Sequence, residues 1–339
     1  MAIAAGVAIL LVAVVLIVLS QRPQRHRVFR DVEQPAAVPE RIPPVDQWTS
    51  TFASLEADDL AELLGRIERE HADRYTAWSL GYLHARALIE DNEPDDAAAR
   101  LRPFLAEGNP FRPLAIYHQS EIEALRGDAA AASRLRQQLI FDYPQSQHRE
   151  EAIDDEIVHL SSLEESQPLA SFAEKVTPSL ETSARRDLNA RLVESAMRAG
   201  ATPRAVTLAL SILRGGTADD SADRAARAID RPEIVRSLNP EQLALLGETF
   251  SSHRHYARAA ALLSMAIPRL PARADDLRFA LGRSHFGNEN YAEAQRIYLD
   301  SEKLTKDNRW KATFFWHAAR CAQLRGDDAA AERLMTRTI

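Results

Sequence analysis

The chain has 339 residues, 45% of them hydrophobic and 27% charged, and 49 Asp and Glu against 42 Lys and Arg give a net charge of −7. That length exceeds a single compact core and fits two domains or an extended repeat array. The acidic balance, with basic and acidic residues interleaved, argues against a nucleic-acid scaffold, which needs clustered Lys and Arg, and the single cysteine, Cys321, excludes an internal disulfide and a cysteine-based zinc site.

In chain order, residues Ala2 to Leu19, "AIAAGVAILLVAVVLIVL", hold no charged side chain. A helix rising about 1.5 Å per residue over that run nearly spans a hydrocarbon layer of about 30 Å, so residues 1–21 are expected to form one transmembrane anchor. A cleaved signal would be shorter, with a positive segment before it and an Ala-x-Ala pattern after it. Residues 22–47 read as a linker, basic at Arg22, Arg25, Arg27 and Arg30 and then proline-rich at Pro35, Pro39, Pro43 and Pro44. The arginines point the C-terminal part to the cytoplasm.

From residue 48 to 339 the pattern predicts an all-α domain. Glycines number only 12, alanine-rich segments have helical spacing, and no stretch alternates in the manner of a strand. "LRGDAAAASRL" (125–135) recurs as "LRGDDAAAERL" (324–334), 199 residues later. In each copy the glycine is expected to close one helix in the left-handed conformation and the aspartate to cap the next, which accounts for Arg-Gly-Asp without an adhesion partner. Leu246-Gly247 and Leu281-Gly282, 35 residues apart, open two further pairs, whose second helices carry Ala259 and Ala294 with Tyr298. Small residues there let helices approach closely, while Leu246, Leu281 and Tyr298 fill the gaps. Weaker pairs are expected over 75–105, with a turn around Pro94, and over 188–213, turning at Gly200. The frame is lost over 146–187 and 215–240.

The Leu-Gly, aromatic, small-residue and terminal-proline order resembles the tetratricopeptide repeat, whose period is about 34 residues. That resemblance implies an α-solenoid, a superhelix of antiparallel helix pairs, here preceded by one transmembrane helix. Residues 110–152, "PFRPLAIYHQSEIEALRGDAAAASRLRQQLIFDYPQSQHREEA", and 280–334 are further similar to the N-terminal superhelical domain of soluble lytic murein transglycosylases. In that family a catalytic Glu-Ser opens a domain containing a Gly-Leu-Met-Gln motif; no Gly-Leu-Met-Gln occurs in this sequence, so no catalytic role passes to any residue here. The resemblance implies the periplasmic side of the inner membrane, against the arginine pattern, and that side is taken as the expectation.

Candidate chemistry is sparse. The pairs Asp58-Asp59, Asp95-Asp96, Asp154-Asp155, Asp219-Asp220, Asp275-Asp276 and Asp327-Asp328 read mostly as helix-start residues opposing the helix dipole. His253 and His255 lack the third ligand a zinc site needs. Trp310, Phe314, Phe315 and Trp316 form an aromatic cluster suited to packing or to sugar stacking, and Cys321 among alanines reads as core. No catalytic, cofactor or metal residue is expected. Two functions stay open: a membrane-tethered scaffold that binds a protein or peptide at the cell envelope, or the non-catalytic N-terminal part of a lytic transglycosylase acting on peptidoglycan.

Overall fold

The computed structural model describes residues 38–337, and their regular structure is wholly helical. The chain divides between His159 and Leu160 into two compact units.

Unit 1 runs α1 (Trp48–Ser54), α2 (Ala57–Glu70), α3 (Ala72–Ala77), α4 (Leu80–Glu90), α5 (Pro94–Leu101), α6 (Arg112–Leu125), α7 (Ala129–Asp142) and the start of α8 (Arg149–Ser162). Each helix has a local cause. Pro94 stands in the first turn of α5, where its missing N–H costs nothing, and the Asp128 carboxylate accepts a 2.8 Å bond from the Ala131 N–H at the start of α7. The core joins Trp48, Leu63, Leu64 and Ile67 to Tyr82, Leu101 and Ile122. Residues 38–47, the end of the expected linker, lie against α2: Arg66 donates to the carbonyls of Pro39 and Glu40, the Trp48 indole N–H donates to the Pro43 carbonyl, and Val38, Ile42 and Val45 pack on the core.

Unit 2 continues with α9 (Gln167–Val176), α10 (Thr182–Arg198), α11 (Thr202–Arg214), α12 (Asp220–Ile229), α13 (Pro232–Ser237), α14 (Pro240–Ser252), α15 (Tyr256–Ala266), α16 (Ala274–Gly287), α17 (Tyr291–Leu304), α18 (Asn308–Leu324) and α19 (Asp328–Thr336). Consecutive helices pack as pairs. The expected turn chemistry is present. Gly127, Gly200 and Gly326 have φ of 82°, 75° and 77°, the left-handed values that favour glycine, and Asp327 caps α19 through a 3.0 Å bond from the Ala330 N–H. Leu246 is fully buried, whereas Leu281 is only half-buried.

The close approach expected at the Leu-Gly positions is real. A methyl group on Gly282 would lie closer than 3.0 Å to the Tyr298 ring, which is itself wholly buried. Gly282→Ala is therefore expected to lower the stability of unit 2 by about 1–3 kcal/mol through overpacking. Gly65→Ala in α2, where the new methyl meets only ordinary contacts at 3.6 Å and beyond, should be neutral or stabilising. Urea denaturation of the two variants compares them, and equal midpoints would show that the glycine is not a packing requirement.

The expected fold class, a tetratricopeptide-like α-solenoid preceded by one transmembrane helix, requires correction. Among the described residues no helix is long and apolar enough to cross a membrane. The longest, α10 and α18 at 17 residues each, carry charged side chains along their length. The apolar run Ala2 to Leu19, expected to enter the bilayer, lies outside the described residues.

Candidate interaction surface

In unit 1 the first helices of successive pairs, α4, α6 and α8, bring a polar row together. Residues three and four apart on a helix share a face, so α6 presents Tyr117, His118 and Glu121 as one group, α8 presents Glu151 and Asp155, and α4 presents Arg86 and Glu90. The Tyr117 ring stacks on His148, just before α8, at 4.5 Å and 7°, and its hydroxyl lies 3.5 Å from the Asp155 carboxylate. His118 is almost wholly buried, and its Nδ1 lies 2.5 Å from Glu121 Oε2, while its Nε2 meets no partner. His148 Nδ1 lies 3.1 Å from Glu151.

The electrostatics of this row are unbalanced. Burial keeps His118 well below the usual histidine range, with Arg86 and His148 adding to the effect. Burial also lowers His148, against the pull of Glu151. Both rings are therefore neutral at pH 7. Burial raises Glu121, with Arg86 and His148 opposing, and raises Asp155, which the neighbouring Glu121 and Glu151 push further and Arg136 opposes. Arg86 acts on Glu121 and bonds to Glu90 at 3.3 Å, and Arg136 acts on Asp155, so the carboxylates of the row outnumber the guanidiniums near them. Crowded carboxylates of this kind gain from a cation brought among them.

Two other polar groups in unit 1 are internally satisfied. Glu156, fully buried, accepts from Ser133 Oγ at 2.6 Å, Gln137 Nε2 at 2.7 Å and Arg136 Nε at 3.0 Å. His84 Nδ1 accepts from Arg100 Nε at 2.8 Å, with the Tyr75 hydroxyl 2.9 Å away, and Arg100 reaches on to Glu68 at 2.8 Å. A donor aimed at Nδ1 places the ring proton on Nε2, and burial together with Arg100 holds His84 down to about 3.

In unit 2 arginines pair with carboxylates of other helices and of the loops between them. Arg186 binds Asp219, Arg224 binds Asp187, Arg258 binds Asp230, and Arg273 binds Glu241, Glu248 and Asp276. The sequence candidates fall into this pattern. His253 meets the Thr217 carbonyl at 3.0 Å and His255 meets Asp223 at 3.0 Å, so the two bond to different groups. Among the described residues no three His, Cys, Asp or Glu side chains converge on a metal position. Phe314 and Phe315 are buried, Trp310 stacks on Phe314 at 5.5 Å, and Trp316 is exposed beneath Arg320. The Cys321 thiol is buried and pushed up to about 11 by that burial.

Of the paired aspartates, Asp219 and Asp327 cap helices, and Asp58-Asp59, Asp95-Asp96 and Asp275-Asp276 lie in first turns. Asp154-Asp155 does not fit that expectation: it lies past the first turn of α8, and Asp155 belongs to the row around Tyr117. Sequence reasoning missed Tyr117, His118, Glu121 and His148. The one signal available was the i, i+3 spacing of His118 with Glu121 and of His148 with Glu151. No protein-family model matches the chain, and no curated protein matches it.

Proposed function

We propose that the chain is a tetratricopeptide-like repeat scaffold that binds a protein or peptide through the first-helix face of unit 1, and that the bound segment is cationic. One observation carries this reading: Tyr117, Glu121, Glu151 and Asp155, from two successive first helices, form one partly exposed row in which the carboxylates outnumber the nearby guanidiniums, Arg86 and Arg136. A Lys or Arg side chain of an extended segment would lie across the Tyr117 ring edge with carboxylates on either side. Its entry offsets the burial, and the lesser repulsion from Glu121 and Glu151, that raise Asp155, and charge-assisted hydrogen bonds fix its position. The neutral histidines beneath act as packing, since they add no positive charge at pH 7.

Panning a random peptide library against the purified chain tests this. Enriched peptides should carry Lys or Arg beside an apolar residue, and Asp155→Lys should weaken their binding at least about tenfold. Enrichment of acidic peptides, or affinity that Asp155→Lys leaves unmoved, would overturn the reading.

A further inference from the structure

His148 stands inside the polar row of unit 1 and is wired for its neutral form. Its Nδ1 lies 3.1 Å from the Glu151 carboxylate, which only accepts, so the ring proton sits on Nδ1. Its Nε2 then accepts from the Gln147 amide at 3.3 Å. One face of the ring is stacked on Tyr117 at 4.5 Å, and His118 meets it edge-on at 5.3 Å. The charged groups around it come from three helices: Arg86 of α4, Glu121 of α6, and Glu151 of α8, with Asp155 one turn further along α8 at the hydroxyl of the same Tyr117.

A proton added to this ring goes to Nε2, at the expense of the Gln147 bond, and makes the imidazole a cation in contact with Glu151. His118 is no substitute. It is 2% exposed and its Nε2 meets no acceptor, so an N–H placed there would be buried without a partner. A Lys or Arg of a bound segment seeks from outside the same carboxylates that a charged His148 takes from inside.

We infer that His148 is a proton-operated competitor for the guest cation: once charged, it takes the guest's place between Tyr117 and Glu151, so the row holds a cationic segment near neutral pH and releases it in mild acid. The inference rests on the binding reading above and adds its regulation. A guest cation and a charged His148 repel one another and share Glu151, so the occupied row refuses a proton that the empty row accepts. Burial holds the empty row's His148 below 6.5, against the pull of Glu151, with Arg86 adding to burial and Glu121 opposing it. Affinity falls as the pH drops through that lowered value, by at most about tenfold per pH unit for one group. Glu121 and Asp155, both raised by burial, lose their charge in acid and weaken the guest's hold in the same direction, so the histidine has to be separated from them by substitution.

The probe is a library-selected cationic peptide, fluorescently labelled and titrated into the full chain and into its His148→Phe form, which keeps a flat ring beside Tyr117 and cannot charge. Each protein is compared with itself between about pH 7.5 and about pH 5.5, with circular dichroism in the same buffers correcting for the folded fraction. The parent chain is expected to lose affinity at least about fivefold over that range, and His148→Phe less than about twofold. The His148 ring resonance gives a second reading: in the folded chain its titration midpoint should move to lower pH when the peptide is bound. Equal losses in the two proteins, or a midpoint that the peptide leaves unmoved or raises, would overturn the inference. Binding at the higher pH together with either of those results removes the switch and leaves the binding face in place, whereas absence of binding by any cationic peptide at that pH removes both.

Discussion

Unit 1 is expected to lose stability steeply as the pH falls from about 7 to about 5. His84, His118 and His148 are all buried and neutral in the folded chain, each held below its ordinary value of 6.5. In the unfolded chain they titrate near 6.5. The sign follows from proton counting. Between those folded and unfolded values the unfolded state binds protons that the folded state refuses, so acid favours unfolding. The stability is fully present above about pH 7 and declines below 6.5, by at most about 1.4 kcal/mol per pH unit for each histidine. Glu121 and Asp155 act the other way: their folded values are raised above 4.5 and 3.8, so they favour the folded state as the pH falls through those raised values. The decline should therefore be steepest between about pH 6.5 and 5 and flatten below. Urea midpoints followed by circular dichroism across this range measure it, and His118→Gln should shallow the slope. A midpoint that is flat or rises toward pH 5 would show that these rings are not held neutral.

The second large effect is expected at Arg136. Glu156 is entirely removed from solvent, and the Arg136 guanidinium at 3.0 Å is the cation that compensates it. Arg136→Met leaves the Ser133 and Gln137 bonds but strands a buried charge, at a cost of about 3–5 kcal/mol. Methionine itself fits the helix, since Met335 occupies the matching position of α19. The double variant Arg136→Met, Glu156→Leu removes both charges and should recover most of the loss, because an apolar pair of similar volume often matches a buried ion pair. Denaturation of the two variants against the parent chain gives the comparison. A single-variant loss below about 1 kcal/mol would mean that Glu156 does not depend on its guanidinium.

The parts of the fold written locally were legible in the sequence. Glycine at the turns near 127, 200 and 326 and aspartate at 128 and 327 act within a few residues of themselves, so their geometry can be read from spacing. Leu281 shows the limit: the repeat frame places it at the interface, but how deeply it is buried depends on neighbours that the frame does not specify, and it is half-buried. The polar row was not legible for a related reason. Tyr117 and Asp155 are 38 residues apart, and Ser133 and Arg136 meet Glu156 across 23 and 20. Such pairs have no local spacing to betray them, and α8 begins where the repeat frame is lost. The matched arginines of unit 2 were equally hidden, since Arg186 and Asp219 are 33 residues apart. The expected transmembrane anchor concerned residues outside those described, and no helix among the described residues takes that role.

The most direct measurement of the proposed binding face is amide chemical-shift mapping of the full chain with a library-selected cationic peptide. Shifts should concentrate in α4, α6 and the start of α8, around Arg86, Tyr117, Glu121, Glu151 and Asp155, and should vanish in the Asp155→Lys chain. Shifts confined to unit 2 would contradict it.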